Sequence, residues 1–273
     1  MIDIYLVGCA CSFGLYVYKK LNKHQETGPD SKIWKKPRKF ISHIVDIYGK
    51  IWHGYEVTGM EHLPKGPGII IYHHGVAPLG YSLFAARYFL ETGRLCFSLI
   101  HHLGNWIPGL QMVFYVSGLK SYNKAEIVEM MKKGHLMGIA PGGAREALFS
   151  HDYGIMWEKR TGFAQAALEA KVPIIPIFTQ NSCEAYRTIG KTRLTKWLYD
   201  KTRGIFVLIY GGFPVKLRTF IGEPIPYDPN ITAVELAQRV KIALENLRDK
   251  HQKRPGNILR ALSERFDKHY KAN

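Results

Sequence analysis

The sequence predicts an α/β fold: a single domain with a largely parallel central sheet flanked by helices, behind a short N-terminal hydrophobic anchor segment. The chain has 273 residues, of which 46% are hydrophobic, so it is long and apolar enough to bury a sizeable core. Its short, continuous apolar runs are typical of strands that are covered on both faces. Helical patterns lie between these runs, and this alternation indicates a parallel sheet.

The N-terminal hydrophobic segment spans residues 4–18, and its only acidic neighbour is Asp3. Its fifteen or so residues are fewer than the ~20 that a spanning helix needs, although tilt and flanking lysines reduce that requirement. We expect residues 1–18 to form a membrane anchor or a re-entrant segment. A buried core helix and a cleaved signal peptide are the alternatives. The signal peptide is disfavoured because the segment lacks a basic start and a small-residue cleavage site.

A basic run follows the hydrophobic segment, and we expect residues 19–39 to form a basic juxtamembrane linker. Its basic residues outnumber Glu26 and Asp30, and they are Lys19, Lys20, Lys23, Lys32, Lys35, Lys36, Arg38 and Lys39. Basic residues beside an anchor favour the cytosolic side of a membrane and attract anionic lipid by about 1 kcal/mol each. We therefore expect the remaining chain to face the cytosol.

The whole chain is basic, with a net charge of +16, which indicates an anionic partner. Nucleic acid, an anionic membrane and a polyphosphate co-substrate are the candidates. The basic run beside a hydrophobic segment favours a membrane lipid surface. We expect no nucleic acid partner, since no stacking-aromatic or recognition-helix signature accompanies the charge. The four cysteines are too few and too scattered for a disulfide framework, which favours a reduced compartment.

Residues 40–273 form the predicted domain. Six apolar runs in it are predicted as buried strands, at 68–72, 95–100, 135–140, 172–178, 205–210 and 217–221. Helices are predicted at 79–90, 124–133, 160–170 and 187–201. Thr232 and Glu235 form a capping box before apolar residues at helical spacing, which predicts a further helix docked on the sheet.

Two adjacent histidines, His73 and His74, follow the first predicted strand, and Gly75 and Pro78 come next. Open α/β sheets bind ligands at the carboxyl ends of their strands, where an imidazole is able to act as a general base near neutral pH. Successive strand side chains point to opposite faces, so we expect at most one of the two rings to face the crevice. The alternative is that both are hydrogen-bonded loop residues.

A second candidate is the turn PGGARE, which follows the strand at 135–140 and opens an apolar helical segment. Gly142 and Gly143 allow a tight bend close to a ligand, and a helix N-terminus attracts an anion. Arg145 is able to hold a phosphate or a carboxylate through two hydrogen bonds. The alternative is a plain strand–helix turn, in which Glu146 stabilises the first helical turn.

A third candidate is the run VPIIPIF at 172–178, where Pro173 and Pro176 bound an apolar strand. Prolines are unusual there because each one removes a hydrogen-bond donor from the sheet. By itself, this pattern of prolines indicates an edge strand or a bulge.

The motifs His-Gly-x-x-Pro, Pro-Gly-Gly-x-x-Glu and Val-Pro-Ile-Ile-Pro occur in this order along the chain. Together they resemble the lysophospholipid acyltransferase superfamily of membrane glycerolipid acyltransferases, and within it the branch of transmembrane protein 68 and its relatives. The resemblance covers nearly the whole chain after the anchor. Further matching stretches are WHGYEV at 52–57, YGGFPVKLRT at 210–219, IPYDP at 225–229 and RPGN at 254–257.

The resemblance implies an acyl-CoA-dependent O-acyl transfer without a covalent acyl-enzyme. His74 matches the motif histidine, which takes the proton of a glycerol hydroxyl as the hydroxyl attacks the thioester carbonyl. The block that binds and positions the acyl acceptor is matched by Pro141, Gly142, Gly143 and Glu146.

Pro173 and Pro176 match a further block of the family, which is associated with the acyl donor and the hydrophobic side of the site. The resemblance implies acyl-CoA as a co-substrate, with no metal ion and no other cofactor. It also implies an endoplasmic reticulum membrane location with the catalytic domain facing the cytosol.

The chain departs from the family pattern at Gly80, where the usual block has an aspartate that orients the imidazole. One hypothesis is a catalytically impaired protein that binds lipid or acyl-CoA. A second is that another carboxylate, with Glu146 as the candidate, orients His74. A third is that the block works without the aspartate, as in the type-two diacylglycerol acyltransferases, whose His-Pro-His-Gly block is similar to residues 72–75. We favour an active, compensated site.

The leading hypothesis for the substrate is a mono- or diacylglycerol, acylated at a free hydroxyl. The alternative is a lysophospholipid acyltransferase, in which Arg145 or a lysine holds the phosphate of the acceptor.

Overall fold

The computed structural model describes residues 2–22, 28, 31–100, 109–157 and 159–266. The helices within these residues are α1 (Ile2–Leu21), α2 (Lys35–His53), α3 (Leu79–Thr92), α4 (Gln111–Val116), α5 (Lys124–Lys132), α6 (Gly143–Phe149), α7 (Gly162–Ala170), α8 (Ser182–Ala185), α9 (Arg193–Thr202), α10 (Ala233–His251) and α11 (Ile258–Ser263). The strands are β1 (Glu56–Thr58), β2 (Gly68–Tyr72), β3 (Cys96–Leu99), β4 (Leu119–Lys120), β5 (Leu136–Ile139), β6 (Ile174–Gln180), β7 (Tyr186–Ile189), β8 (Leu208–Gly211) and β9 (Arg218–Ile221).

Seven of these strands form the central sheet, in the order β1-β9-β6-β2-β5-β3-β4. Neighbouring strands are parallel except for β6 and β9, which are antiparallel. The expected α/β domain, with a largely parallel sheet flanked by helices, is therefore confirmed. Parallel strands align their carboxyl ends at one edge, and the loops after β2, β5 and β6 meet there.

The two faces of the sheet pack on different helices. Ile69 and Ile71 of β2 belong to the core cluster that contains buried residues of α5, α7 and α10. Ile70 and Tyr72 belong to the cluster on the opposite face, which contains Tyr81 and other residues of α3. Burying one large apolar side chain stabilises the fold by about 1.5–3 kcal/mol, so a strand buried on both faces holds the sheet strongly.

Most predicted elements are confirmed. The runs at 68–72, 95–100, 135–140, 172–178 and 217–221 form β2, β3, β5, β6 and β9. The capping box before α10 is present, because the Thr232 side chain accepts from the Glu235 amide at 3.2 Å while the Glu235 carboxylate accepts from the Thr232 amide at 2.9 Å.

Two predictions are wrong in part, and both concern residues 186–211. The helix predicted at 187–201 begins only at Arg193, because the preceding residues form β7. The run at 205–210 was expected as a buried strand, but β8 pairs with β7 in a separate two-stranded antiparallel sheet. This pair of strands lies outside the central sheet, and Ile189 and Leu208 on it are exposed.

Helix α1 packs against α4. The hydroxyl of Ser12 accepts a hydrogen bond from the Met112 amide at 3.2 Å, and Leu15 is buried in a cluster with Val116. On its other side α1 exposes Phe13 and Leu21. None of the helices in the described residues is long and apolar enough to cross a membrane, and the N-terminal anchor is not confirmed. Within the expected linker, residues 23–27 and 29–30 lie outside the described residues.

Helix α2 runs across residue 40, where the linker was expected to end, and it packs on α3. The buried carboxylate of Asp46 forms an ion pair with Arg87 of α3 at 2.8 Å. The Arg38 side chain donates to the Val116 carbonyl at 2.8 Å, which ties α2 to the end of α4. Helix α2 thus holds α3, whose first residues border the site.

Candidate active site

The strand β2 delivers His73 and His74 to opposite sides of the sheet, as expected. The ring of His73 lies 5.7 Å from that of Tyr153 and 6.4 Å from that of Phe178, on the side of α7 and α10. The ring of His74 lies 6.3 Å from that of Tyr72, on the side of α3. This arrangement follows from the alternation of side chains along a strand.

The ring of His74 is held by the main chain of the next residue. Its Nδ1 lies 2.7 Å from the carbonyl oxygen of Gly75. Because a carbonyl only accepts, Nδ1 carries the proton and donates it, which leaves the lone pair on Nε2. Burial lowers the pKa of His74, and the Gly75 carbonyl opposes this effect. The ring is therefore neutral near pH 7, in the tautomer that a general base requires.

Glu146 lies beside His74, but it contacts the backbone rather than the ring. One carboxylate oxygen accepts from the His74 amide at 2.9 Å, and the other accepts from the Met156 amide at 2.7 Å. The residue is 0% exposed, and burial raises its pKa to about 7 although both amides favour the charged form. The structure thus joins the two predicted catalytic residues through the main chain, and Glu146 fixes the position of the loop that carries His74.

The turn at Pro141, Gly142 and Gly143 is fastened to Arg160. One guanidinium nitrogen donates to the Pro141 carbonyl at 2.8 Å and to the Gly142 carbonyl at 2.9 Å. A Cβ atom on Gly142 would lie 2.4 Å from the Glu146 side chain, so only glycine fits there. The turn therefore allows Glu146 to reach back to His74. The following helix α6 has only seven residues.

Arg145 is engaged in an ion pair within the chain. Its guanidinium forms an ion pair with Asp200 of α9 at 3.3 Å, and its side chain is mostly buried. The group expected to hold an acceptor phosphate is thus engaged with a carboxylate of the same chain.

The two prolines of β6 lie at different depths along the strand. Pro173 precedes the strand at the amino end of the sheet, and Pro176 pairs in register with Ile71. At about 3.3 Å per residue, Pro173 is on the order of 20 Å along the sheet from His74. The structure therefore does not bring Pro173 to the histidine.

Pro176 occupies an interior strand, which excludes the edge-strand interpretation. The Pro176 carbonyl accepts a hydrogen bond from the Gly222 amide. Proline has no N–H to donate to the neighbouring strand. At this position the regular pairing with β9 has ended at Ile221, and it resumes only as a single bridge at Ile225. A bulge in the partner therefore accommodates the proline.

The side-chain space at Gly80 is filled by Thr179. A Cβ atom on Gly80 would lie 2.4 Å from the Thr179 hydroxyl oxygen and 2.5 Å from its methyl group. That hydroxyl pairs with the Thr219 hydroxyl at 2.8 Å, which in turn accepts from the Tyr55 hydroxyl at 2.9 Å. A row of hydroxyl groups thus stands where a longer side chain at position 80 would project.

A narrow cleft, with room for about one water molecule, adjoins this region. It is lined by Tyr72, His73, Gly75, Ala77, Pro78, Gly80, Tyr81, Thr179 and Ser182. Of the two histidines, His73 lines the cleft. Its ring nitrogens have no hydrogen-bond partner among the described residues, and the nearby Gly154 carbonyl does not meet hydrogen-bond geometry. Burial lowers the pKa of His73 to about 3.

Three groups of this site were missed from the sequence: the Gly75 carbonyl, Arg160 and Thr179. Main-chain atoms give no sequence signal, and Arg160 resembles any basic residue before a helix. Thr179 did carry a signal, because it is a polar residue at the carboxyl end of a buried strand.

Residues 54–180 match the family model described as Acyltransferase. This range contains His74, the turn at 141–143 and Glu146.

Two curated relatives extend this finding. The chain is 48% identical over 260 residues to a Mus musculus protein named "DGAT1/2-independent enzyme synthesizing storage lipids", covering 95% of this chain and 79% of that protein. It is 24% identical over 249 residues to "Diacylglycerol O-acyltransferase 1" of Saccharomyces cerevisiae, covering 81% of this chain and 56% of that protein.

A solved structure has the same fold. The 1-acyl-sn-glycerophosphate acyltransferase PlsC from Thermotoga maritima matches with a TM-score of 0.54 and 17% identity, covering 91% of this chain and 98% of that one.

Proposed function

Because the chain belongs to the lysophospholipid acyltransferase superfamily and is an acyltransferase, we propose that it transfers an acyl group from acyl-CoA to a glycerolipid hydroxyl with His74 as the general base. The hydrogen bond from His74 Nδ1 to the Gly75 carbonyl carries this proposal, since it leaves Nε2 unprotonated. His73 is the weaker candidate. Its pKa of about 3 makes it a poor proton acceptor at pH 7, and no hydrogen bond from the described residues selects its tautomer.

The reaction is a direct displacement. Nε2 of His74 takes the proton of the acceptor hydroxyl while the hydroxyl oxygen attacks the carbonyl carbon of the thioester. The C–S bond then breaks, and the proton passes from Nε2 to the leaving sulfur. The products are an ester and free CoA thiol, so the histidine returns to its starting state.

The Gly75 carbonyl takes over the orienting part of the absent aspartate. It holds the tautomer and the ring direction, although a neutral carbonyl stabilises the imidazolium less than a carboxylate does. Glu146 acts one step further away, as a positioning residue that fixes the His74 amide. The Pro141 turn, held by Arg160, supports Glu146 in turn.

We propose a neutral acceptor, a mono- or diacylglycerol. The ion pair between Arg145 and Asp200 supports this, because a phosphate on a lysophospholipid would have to compete with an internal carboxylate for the guanidinium. The names of the relatives, which refer to storage lipids and to diacylglycerol, point in the same direction.

The acceptor is tested with purified full-length protein, labelled acyl-CoA and a panel of acceptors. We expect turnover with monoacylglycerol or diacylglycerol. Turnover with lysophosphatidate or another lysophospholipid alone would establish the phosphate-bearing acceptor. Saturable acyl-CoA binding without any turnover would instead identify an impaired, lipid-binding member of the family.

The proposed location is the endoplasmic reticulum membrane, with the domain on the cytosolic side. The lysines that end α1 and begin α2 support contact with anionic lipid. Deleting residues 1–18 should weaken attachment in a membrane-pelleting assay without full release at low salt. Release should then rise with salt, since the screening length falls to about 8 Å at physiological ionic strength. Salt-insensitive attachment of the shortened chain would contradict an electrostatic contribution.

A further inference from the structure

Residues 186–211 leave the central sheet and expose a group of large apolar side chains. The segment consists of β7, α9, β8 and their connections. Its exposed apolar residues, which we call the α9 surface, are Ile189, Leu194, Trp197, Ile205, Phe206 and Leu208. Soluble monomers rarely expose so many large apolar groups together, so such a surface indicates an interaction site.

The opposite side of the same segment is packed onto α6. Tyr199 of α9 and Val207 before β8 are buried with Leu148 of α6. The Thr188 hydroxyl donates to the Leu148 carbonyl at 3.3 Å, and the Lys191 ammonium donates to the Ser150 carbonyl at 2.8 Å. The inner side of the segment therefore holds it in place, and the α9 surface contributes nothing to this packing.

The charged residues around the α9 surface are mostly basic. The segment contains Asp200 as its acidic residue, and its basic residues are Arg187, Lys191, Arg193, Lys196, Lys201 and Arg203. Asp200 is paired with Arg145, which belongs to α6. Arg187 forms an ion pair with Glu184 at 3.9 Å. The other basic residues still leave the segment with a strongly positive net charge, which complements an anionic surface.

We propose that the α9 surface docks on an anionic lipid bilayer, with Trp197 and its apolar neighbours in the interfacial layer. A helix with tryptophan and leucine on one side and basic residues around them is typical of elements that lie in a membrane interface. Lysine and arginine stems extend along apolar groups while their charges reach the lipid phosphates. About 1 kcal/mol of attraction for each basic residue near the surface adds to the apolar burial.

This contact would bring the site towards its substrate. The segment rests on α6, and α6 carries Glu146, which holds the His74 amide. The inference deepens the proposed function and rests on it for the lipid nature of the acceptor. It assigns a second membrane contact, separated by more than 160 residues from α1.

The test uses tryptophan fluorescence of the full-length chain. The protein is mixed with vesicles of phosphatidylcholine and phosphatidylserine whose acyl chains carry bromine, a short-range quencher. Brominated lipid should quench the wild-type protein more than Trp197→Phe. Trp157→Phe is the matched control, because Trp157 is only 3% exposed and its replacement should not lower the quenched fraction. Equal quenching of the wild type and Trp197→Phe would overturn the proposal.

A charge test and a lipid-free measurement complete the design. Arg193→Gln with Lys201→Gln should reduce quenching of Trp197 to its level in pure phosphatidylcholine. Lys132→Gln with Lys250→Gln removes the same charge from exposed positions on α5 and α10 and should not. If Trp197→Glu converts a lipid-free dimer into a monomer in sedimentation, a second copy covers the surface and the proposal fails. Quenching requires no turnover, so its failure is distinguishable from a failure of the His74 assignment.

Discussion

The two sides of strand β2 end in histidines with opposite surroundings. On the α3 side, His74 is partly exposed, its ring is oriented by the Gly75 carbonyl, and its amide is fixed by Glu146. On the other side, His73 lies among aromatic rings, and neither ring nitrogen has a hydrogen-bond partner within the part of the chain that the structure describes. One residue of displacement along a strand thus separates the proposed base, whose ring is oriented by a carbonyl, from an imidazole that lies among aromatic rings at the wall of the cleft. The comparison teaches that two residues of the same type, one position apart, differ in ring orientation because their hydrogen-bond surroundings differ.

The largest expected effect on kcat comes from replacing each of the two histidines in turn. His74→Ala should lower kcat by about 10²–10⁴-fold, the usual contribution of a general base. His73→Ala should leave a substantial fraction of the activity, because its ring does not take the proton. The measurement is kcat with labelled acyl-CoA, together with a thermal melt of each variant.

Replacing each histidine with phenylalanine separates the loss of a proton acceptor from the loss of side-chain packing. His73→Phe fills the same aromatic site without burying unpaired nitrogens, so it should fold as well as the wild type. His74→Phe should be as inactive as His74→Ala. Equal activity losses at positions 73 and 74, with both variants folded, would contradict the assignment of His74.

Glu146→Gln should have the second largest effect. The amide has one accepting oxygen, so it loses either the His74 or the Met156 hydrogen bond. We expect kcat to fall by about 10–100-fold, as is typical for groups that orient a functional residue. The KM for acyl-CoA should change less, since Glu146 positions the base. Glu129→Gln, at an exposed site on α5, is the matched control. An unchanged kcat would remove Glu146 from the site.

Gly80→Asp should be harmful, although it restores the aspartate of the family pattern. Its Cβ would overlap Thr179, and overpacking of this kind costs about 1–3 kcal/mol of the free energy of unfolding. Gly162→Ala is the control, because a Cβ there meets no atom within 4 Å. The unfolding free energy and kcat are measured for both variants.

A double variant sharpens this result. Gly80→Asp with Thr179→Gly removes the clash, so any remaining effect of the aspartate is electrostatic. A large gain in kcat for Gly80→Asp alone, with little effect of Glu146→Gln, would show that the natural site is weakened rather than compensated.

The smallest expected effect is a change in the pH profile of kcat/KM. A base with a lowered pKa loses activity only when the pH falls through that lowered value, so the acid limb should lie below the ordinary histidine value of about 6.5. Glu146, with a pKa of about 7, is protonated below that pH and accepts the two amides less strongly. A shallow step near pH 7 should therefore precede the acid limb and vanish in Glu146→Gln. A single acid limb at or above pH 6.5 in the wild type would contradict both expectations.

The raised pKa of Glu146 also determines how the stability of the fold changes with pH. The pKa of Glu146 is raised in the folded state, so its contribution to stability is present at pH below about 4.5 and is lost as the pH rises through about 7. Over that range, the melting temperature of Glu146→Gln should rise relative to that of the wild type.

Strong local patterns in the sequence predicted the central fold. β2 contains three consecutive isoleucines, and α10 begins at a capping box, so both have signals within a few residues. The hairpin of β7 and β8 had none, because its pairing joins residues about twenty positions apart and its apolar residues remain exposed. Periodicity reports which residues are apolar, and it does not distinguish a covered strand from an uncovered one.

The residues of the site could be predicted from the sequence better than the contacts between them. His74 and Glu146 were identified as partners, and the structure brings them together, through an amide instead of the imidazole. The proposed substitute for the aspartate is a main-chain carbonyl, and the space for a side chain at position 80 is filled by Thr179, which is ninety-nine residues from Gly80. The contact with Thr179 depends on how α3 packs against β6 in three dimensions, which local sequence does not encode. The bond to Gly75 is local, but a main-chain carbonyl gives no residue-specific signal.

The hydrogen bond from His74 to Gly75 also affects how well the orientation of the ring withstands mutation. Every amino acid carries a backbone carbonyl, so no missense change at codon 75 deletes the acceptor itself. A Cβ there would meet its nearest atoms at 3.4–3.6 Å, so Ala fits nearly as well as Gly. An orienting aspartate, by contrast, is lost through a single nucleotide change. A lineage that relies on the peptide unit therefore gives up some electrostatic strength and gains an orienting group that point mutation cannot erase.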